Sequence, residues 1–252
     1  MTVAEVRLLP IRGMPEMAPG ADLAGTLLDA LERADARLEA GDVVVVTHKI
    51  VAKAEGALVD LRTVTPSALA TRYAERWGKD ARQLEVVLQQ CTRIVRMDRG
   101  VLIAETRHGF ICANAGVDLS NVAERDVVCL LPDDPDGSAA RIRAGLIERR
   151  GVDLAVIISD TFGRPWREGL TNVAIGVAGM EPLRDYVGRR DPHGYELRVS
   201  ALAIADEIAS AAELVMGKLD RVPAAIVRGY AYDRGAGSAR MLVRRPELDL
   251  FR

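Results

Sequence analysis

The stretch Val156–Gly169, VIISDTFGRPWREG, carries the most suggestive chemistry of the chain. Apolar Val156, Ile157 and Ile158 give way at once to Ser159, Asp160 and Thr161, the pattern of a buried strand that delivers its last residues to a cleft. A carboxylate beside a hydroxyl offers hard oxygens suited to Mg²⁺ or Mn²⁺. Arg164 and Arg167 follow, two permanent cations set around Gly163 and Pro165. Guanidinium groups next to a metal ligand suit a polyphosphate. The alternative is an Asp that caps a following helix, with two solvated arginines. The segment alone leaves both readings open.

Other residues point the same way, each with a plainer reading beside it. Lys49 and Lys53 are one helical turn apart directly after an apolar run, so a helix would project both ammonium groups to one face. A bound anion would relieve their repulsion; otherwise they are two solvated lysines. Asp118 and Asn121 stand three apart behind a small-residue turn and could share one target, or form an Asx turn. Asp185–Glu196 interleaves charge with Gly and two tyrosines, which favours substrate contact, although His193 between Pro and Gly reads as a turn residue. In Leu214–Arg221, LVMGKLDR, Lys218 follows a helix-ending Gly217, as a dipole-matching cation or a phosphate contact. Together these segments put carboxylates, cations and glycines in loops after core elements, a pattern that fits metal–nucleotide phosphoryl chemistry.

Several chemistries are unsupported. There is no GxxxxGK[ST] and no GxGxxG after a strand. No His or Cys pair has zinc-site spacing, and no His–Asn arrangement would activate Cys112 as a nucleophile.

The elements that must position these residues read in mixed order. Val6–Leu9 reads as a strand closed by Pro10, followed by a Gly- and Pro-rich loop. Asp22 caps a helix over Leu23–Leu38, ended by Gly41. Val43–Thr47 is a β-branched strand buried on both faces. Thr65-Pro66 opens a helix to Trp77, and Asp80–Gln90 forms another. Thr92–Met97 and Val101–Thr106 form a hairpin across Asp98-Arg99-Gly100, and Phe110–Asn114 continues that strand-rich section. Val127–Leu131 is a strand and Ser138–Arg150 a helix. Leu154–Ser159 is the strand that leads to Asp160. Thr161–Leu197 reads as a long glycine-rich loop. Ala201–Val215 is a helix and Pro223–Arg228 a last core strand. Hairpins mixed with strand–helix units predict a mixed α/β (α+β) fold, a mixed sheet flanked by helices.

With 252 residues, 49% apolar and 28% charged, the chain has the composition of a globular protein with a sizeable core. A net charge of −2 gives no general field for nucleic acid or anionic membrane, and 4% aromatics argues against single-strand stacking. Cys91, Cys112 and Cys129 are odd in number and widely spaced, as reduced core residues in the cytoplasm would be. No signal peptide and no apolar run of membrane-spanning length is present. The expectation is a soluble cytoplasmic protein forming one domain over 1–252, undivided or as two interleaved subdomains.

Six strings carry a resemblance that runs collinearly from about Arg7 to Phe251. They are LLPIRGMPEM (Leu8–Met17), HKIVAKAEG (His48–Gly56), HGFICANAGVDLSNV (His108–Val122), SDTFGRPWREG (Ser159–Gly169), GRRDPHGYEL (Gly188–Leu197) and LVMGKLDRVPAAIVRG (Leu214–Gly229). In these the chain resembles the coenzyme F420-0:L-glutamate ligase family. The resemblance implies a family-specific mixed α/β fold with a smaller subdomain, and a homodimer. It implies GTP-dependent addition of L-glutamate to F420-0, with further γ-linked glutamates, through an acyl phosphate. It also implies two Mg²⁺ or Mn²⁺ ions per site and K⁺. Carried over residue by residue, Asp118 and Asp160 would hold one metal and Thr161 a second. Pro10, Ile11, Arg12, Gly13, His48, Lys49, Lys53 and Asn121 would contact the nucleotide. So would Leu214, Val215, Met216, Gly217, Lys218, Leu219, Asp220 and Arg221. His48 stands where a small hydroxyl residue is expected. Apart from the resemblance, the charge of Arg164 and Arg167 beside these acids leads to the expectation that one of them contacts the acceptor or the transferring phosphoryl group. The same acids could instead activate water in a metal-dependent nucleotide phosphohydrolase, or the chain could bind nucleotide without turnover.

Overall fold

The computed structural model describes residues 5–118 and 126–250. In chain order the first elements are β1 (Arg7–Ile11), α1 (Leu23–Arg33), β2 (Val43–Thr47), α2 (His48–Glu55) and β3 (Leu58–Asp60). Next come α3 (Ala68–Trp77), α4 (Ala81–Gln90), β4 (Cys91–Asp98), β5 (Val101–Thr106), β6 (Ile111–Ala113) and β7 (Val127–Cys129). The rest are α5 (Pro135–Arg150), β8 (Ala155–Arg164), β9 (Arg167–Ala178), β10 (Arg184–Asp185), β11 (Ala201–Leu202), α6 (Ile204–Met216) and β12 (Ala224–Arg228).

The centre is a five-stranded mixed sheet in the order β1-β12-β2-β8-β9. Its inner pair β2–β8 is parallel, with Thr47 opposite Ser159, and its other pairs are antiparallel. The valines of β2 are buried on both faces. Val44 and Val46 pack with α1 and α5 on one side, and Val43 and Val45 pack with α6 on the other. A third core, including Leu61, Ala74, Leu84, Leu102 and Val128, is built from the part of the chain between α2 and α5. The mixed α/β architecture expected from the order of elements is thus present.

Some boundaries differ for identifiable reasons. Pro10 sits inside β1, opposite Ala225, because β1 is an edge strand whose missing N–H costs the ladder nothing. Helix α1 stops at Arg33, five residues short of Leu38. Asp35 takes a left-handed φ of 49° and the Ala36 N–H closes on the Leu31 carbonyl, a cap of the kind usually built on glycine. Ser67, not Thr65, caps α3, and α5 starts at Pro135 on an Asp134 cap, ahead of Ser138. Helix α6 starts at Ile204.

The largest correction concerns Thr161–Leu197. Its first half is no loop: β8 runs on to Arg164, turns at Pro165-Trp166 and returns as β9. The register of this hairpin shifts once beside the site. Ile158 faces Gly176, yet the next residue, Ser159, faces Ala174, which leaves Ile175 as an extra residue on β9. Such a bulge reverses the facing of every residue beyond it. Accordingly Val177 and Ala174 both pack on the α6 side, and Ile175 and Ala178 on the α5 side.

Candidate active site

A cavity of about 480 Å³ opens where the parallel pairing of β2 with β8 ends, at Thr47 and Ser159, a place where α/β sheets commonly present their ligand sites. Its floor is Thr47, where β2 becomes α2, with Ser159, Asp160 and Thr161 of β8 and Asn172 of β9. Its walls are Met14–Met17 after β1, His48, Lys49 and Lys53 of α2, Glu213 of α6, and Gly217–Leu219 with Arg221–Pro223 before β12.

The three cations that α2 brings to this cavity are each paired with a carboxylate. Asp160 Oδ1 lies 3.0 Å from His48 Nδ1 and accepts the Thr161 N–H at 2.7 Å. Burial pulls the His48 imidazole down, but the charge and hydrogen bond of Asp160 outweigh it and raise its pKa to about 9. The His48–Asp160 contact thus favours the charged imidazole against its burial. Asp118 Oδ2 lies 2.7 Å from Lys49 Nζ, and Lys53 pairs with Glu16. Lys49 and Lys53 are 14% and 8% exposed at their side chains, so they are not solvated surface lysines.

Oxygen donors dominate the β8 side. Asp160 contributes a carboxylate and Thr161 a hydroxyl. The hydroxyl of Ser159 is fully buried and has no hydrogen-bond partner among the described residues. A buried hydroxyl without a partner beside a carboxylate is an environment that a hard cation or a bound oxygen ligand would complete. The donor chemistry therefore fits Mg²⁺ or Mn²⁺. Among the described residues no three His, Cys, Asp or Glu side chains gather into a ready-made metal cage. Any ion held here would complete its shell with hydroxyls, water or substrate oxygens.

A family model described as F420-0:Gamma-glutamyl ligase matches residues 12–229. The chain belongs to this family. It is 46% identical to the coenzyme F420:L-glutamate ligase of Methanothermobacter thermautotrophicus over 250 residues, 98% of this chain and 99% of that protein. It is likewise 46% identical to the protein of the same name from Methanopyrus kandleri, with 98% of each chain covered. Identity to the one from Archaeoglobus fulgidus is 39%, over 98% of this chain and 96% of that protein.

Within this ligase family chain, the structure gathers part of the expected site. His48, Lys49, Lys53, Asp160, Thr161, Gly217, Lys218, Leu219 and Arg221 line one cavity, and Asp118 reaches its rim through Lys49. The turn after α6 is shaped by backbone: Gly217 has φ 62°, and a Cβ there would meet the Asp220 carboxylate at 2.2 Å. Met216 packs in the core, Val215 packs against it, and Leu214 is exposed. Pro10, Ile11 and Arg12 line a separate hollow of about 330 Å³ beside the end of α1. The Gly13 carbonyl accepts from Arg33, so Met14–Met17 rather than Pro10–Gly13 face the cavity. Arg164 and Arg167 pair across the exposed tip of the β8–β9 hairpin, away from the cavity lining. Asn121 lies outside the described residues.

Sequence reasoning missed Glu16, Asn172 and Glu213. The signal for the last two was present. In the largely apolar α6, whose other charged residue is Glu207, Asp206, Ser210 and Glu213 fall at helical spacing on one stripe. Each bonds β9: Asp206 accepts the Ala174 N–H at 2.8 Å, Ser210 donates to the Asn172 carbonyl at 2.7 Å, and Glu213 accepts from the Asn172 amide at 3.0 Å.

Proposed function

We propose that this chain joins L-glutamate to the deazaflavin precursor F420-0 in coenzyme F420 biosynthesis, with GTP as the driving nucleotide. The observation that carries the reading is the cavity itself, in a chain of this family. Its walls are cationic, with His48, Lys49 and Lys53 on α2 and Lys218 and Arg221 in the segment before β12, above a floor of oxygen donors at Ser159–Thr161.

The chemistry demands such walls. An acceptor carboxylate repels nucleophiles and has no leaving group until its oxygen attacks the γ-phosphorus, which breaks the bond to the GDP oxygen and gives an acyl phosphate. The glutamate amine then attacks the carbonyl carbon, loses a proton, and inorganic phosphate leaves as the amide forms. The first step brings a polyanionic nucleotide to an anionic acceptor. Like charges about 4 Å apart repel by ~4 kcal/mol at a surface-like effective dielectric. Lys49 and Lys53 would offset this by receiving phosphate oxygens in exchange for Asp118 and Glu16, and Lys218 and Arg221 would bind from the segment before β12. Asp160 and Thr161, with Asp118, would hold Mg²⁺ or Mn²⁺, which when bound neutralises phosphate charge. The resemblance further supports a K⁺ requirement, additional γ-linked glutamates and a homodimer.

Incubation of the protein with GTP, Mg²⁺, L-glutamate and F420-0 tests the reading. The expected deazaflavin product is heavier by one or more glutamyl residues, and phosphate is released only when acceptor and glutamate are both present. Phosphate release at the same rate without acceptor, or no product with all components present, overturns it.

A further inference from the structure

We propose that Asn172 and Glu213 are positioning residues that lock the Thr161 hydroxyl proton onto Asn172 Oδ1, so that Thr161 presents only oxygen lone pairs to a bound divalent cation. This inference rests on the metal-dependent reading above and names residues that act through another side chain.

The geometry fixes each link. Thr161 and Asn172 are directly opposed in the β8–β9 ladder. The Thr161 Oγ1 hydroxyl donates to Asn172 Oδ1 at 2.8 Å, and Asn172 Nδ2 donates to Glu213 Oε2 at 3.0 Å. A carboxylate oxygen accepts, so Asn172 must turn its NH₂ to Glu213 and its carbonyl oxygen to Thr161. A carbonyl oxygen cannot donate, so the single Thr161 proton is committed to it and both remaining lone pairs are left to other partners. Asn172 cannot readily turn away. It is 2% exposed, and Ser210, one turn before Glu213 on α6, also holds its backbone carbonyl. The Ile175 bulge is what brings Asn172 to the α6 side at all. A free threonine hydroxyl could point its proton at a cation; this one cannot. Support of a metal ligand through such outer partners commonly governs affinity.

The test is titration with Mn²⁺ alone, followed by the free-ion electron paramagnetic resonance signal, on the full chain. Asn172→Ala is expected to weaken Mn²⁺ binding about 10- to 100-fold, and Thr161→Val by a similar factor. If Asn172 acts through Thr161, the double variant T161V/N172A binds no more weakly than T161V alone. Because Asn172 is buried, Glu213 supplies a second test. Glu213→Ala should weaken binding, whereas Glu213→Gln, whose amide oxygen can still accept from Asn172, should stay near wild type. Unchanged binding in N172A, additive losses in the double variant, or equal losses in E213A and E213Q would overturn the relay while leaving the ligase reading intact. Absence of Mn²⁺ binding by the wild-type chain would instead overturn the metal assignment on which it stands.

Discussion

Lys49 reaches Asp118 across 2.7 Å, while its neighbour His48 holds Asp160 at 3.0 Å. Two consecutive residues at the start of α2 thus restrain the two acids that come from distant parts of the chain. His48, Lys49 and Lys53 are each paired with a protein carboxylate, and a phosphate group bound by the two lysines would have to displace Asp118 and Glu16.

The first consequence concerns Lys49 itself. Hydrogen bonds to charged groups contribute about 1.5–3 kcal/mol, so Lys49→Met should weaken GTP binding by roughly ten- to a hundredfold. Calorimetric titration of GTP checks this; an unchanged dissociation constant would remove Lys49 from the nucleotide site.

Glu16 should behave in the opposite sense. Its largely exposed carboxylate sits on the Lys53 ammonium at the cavity wall, where it competes with any incoming phosphate. Glu16→Gln removes the competing charge. The expected result is tighter GTP binding by about two- to fivefold, in keeping with the modest strength of exposed ion pairs. Weaker binding would show that Glu16 belongs to the ligand site rather than standing in for the ligand.

Cys112 gives a prediction in pH. Burial pushes its thiol up to about 12, and the nearby Asp160 charge adds to the effect. A group whose pKa is raised by folding contributes its stability in full below its unfolded value, near 9, and loses it as pH rises toward the folded value. Stability should therefore fall between about pH 9 and pH 12, and Cys112→Ala should flatten that fall. Urea denaturation of both proteins at pH 8 and pH 10.5 gives the comparison. At pH 8 the native thiol should also resist alkylation.

Gly176 tests the packing under the bulge. A Cβ at this position would lie 2.4 Å from the Pro135 carbonyl oxygen at the start of α5. Overpacking of this kind costs about 1–3 kcal/mol. Gly176→Ala should lower the denaturation midpoint by a corresponding amount.

Much of this was legible in the sequence where one local rule governed. The valine run of β2 could only be a buried strand, and Lys49 and Lys53 at helical spacing behind it fell on one face. Ser159–Thr161 stood out because polar residues interrupt an apolar strand. Other features depended on tertiary structure. Nothing local distinguishes buried Lys53 from a solvated lysine, because Glu16 is the partner that permits its burial. The β8–β9 hairpin was hidden by its glycines and by the bulge at Ile175, which breaks the period-two pattern midway. Glu213 was concealed in a largely apolar helix whose polar stripe has meaning only once β9 lies beside it. Arg164 and Arg167 looked like cleft residues because the turn at Pro165 seemed to follow a strand end at Ser159; the strand carries them outward instead.

The single extra residue in β9 also sets which length changes this hairpin can accommodate. Trimming matched pairs from the tip beyond Gly163 shortens the arm and leaves the inner ladder as it was. Loss of one residue between Asn172 and Gly176 would rotate Asn172 toward α5 and strand Glu213 without its amide. Natural variation in this family should therefore accumulate at the tip and in even steps, while the spacing from Asn172 to Gly176 stays constant.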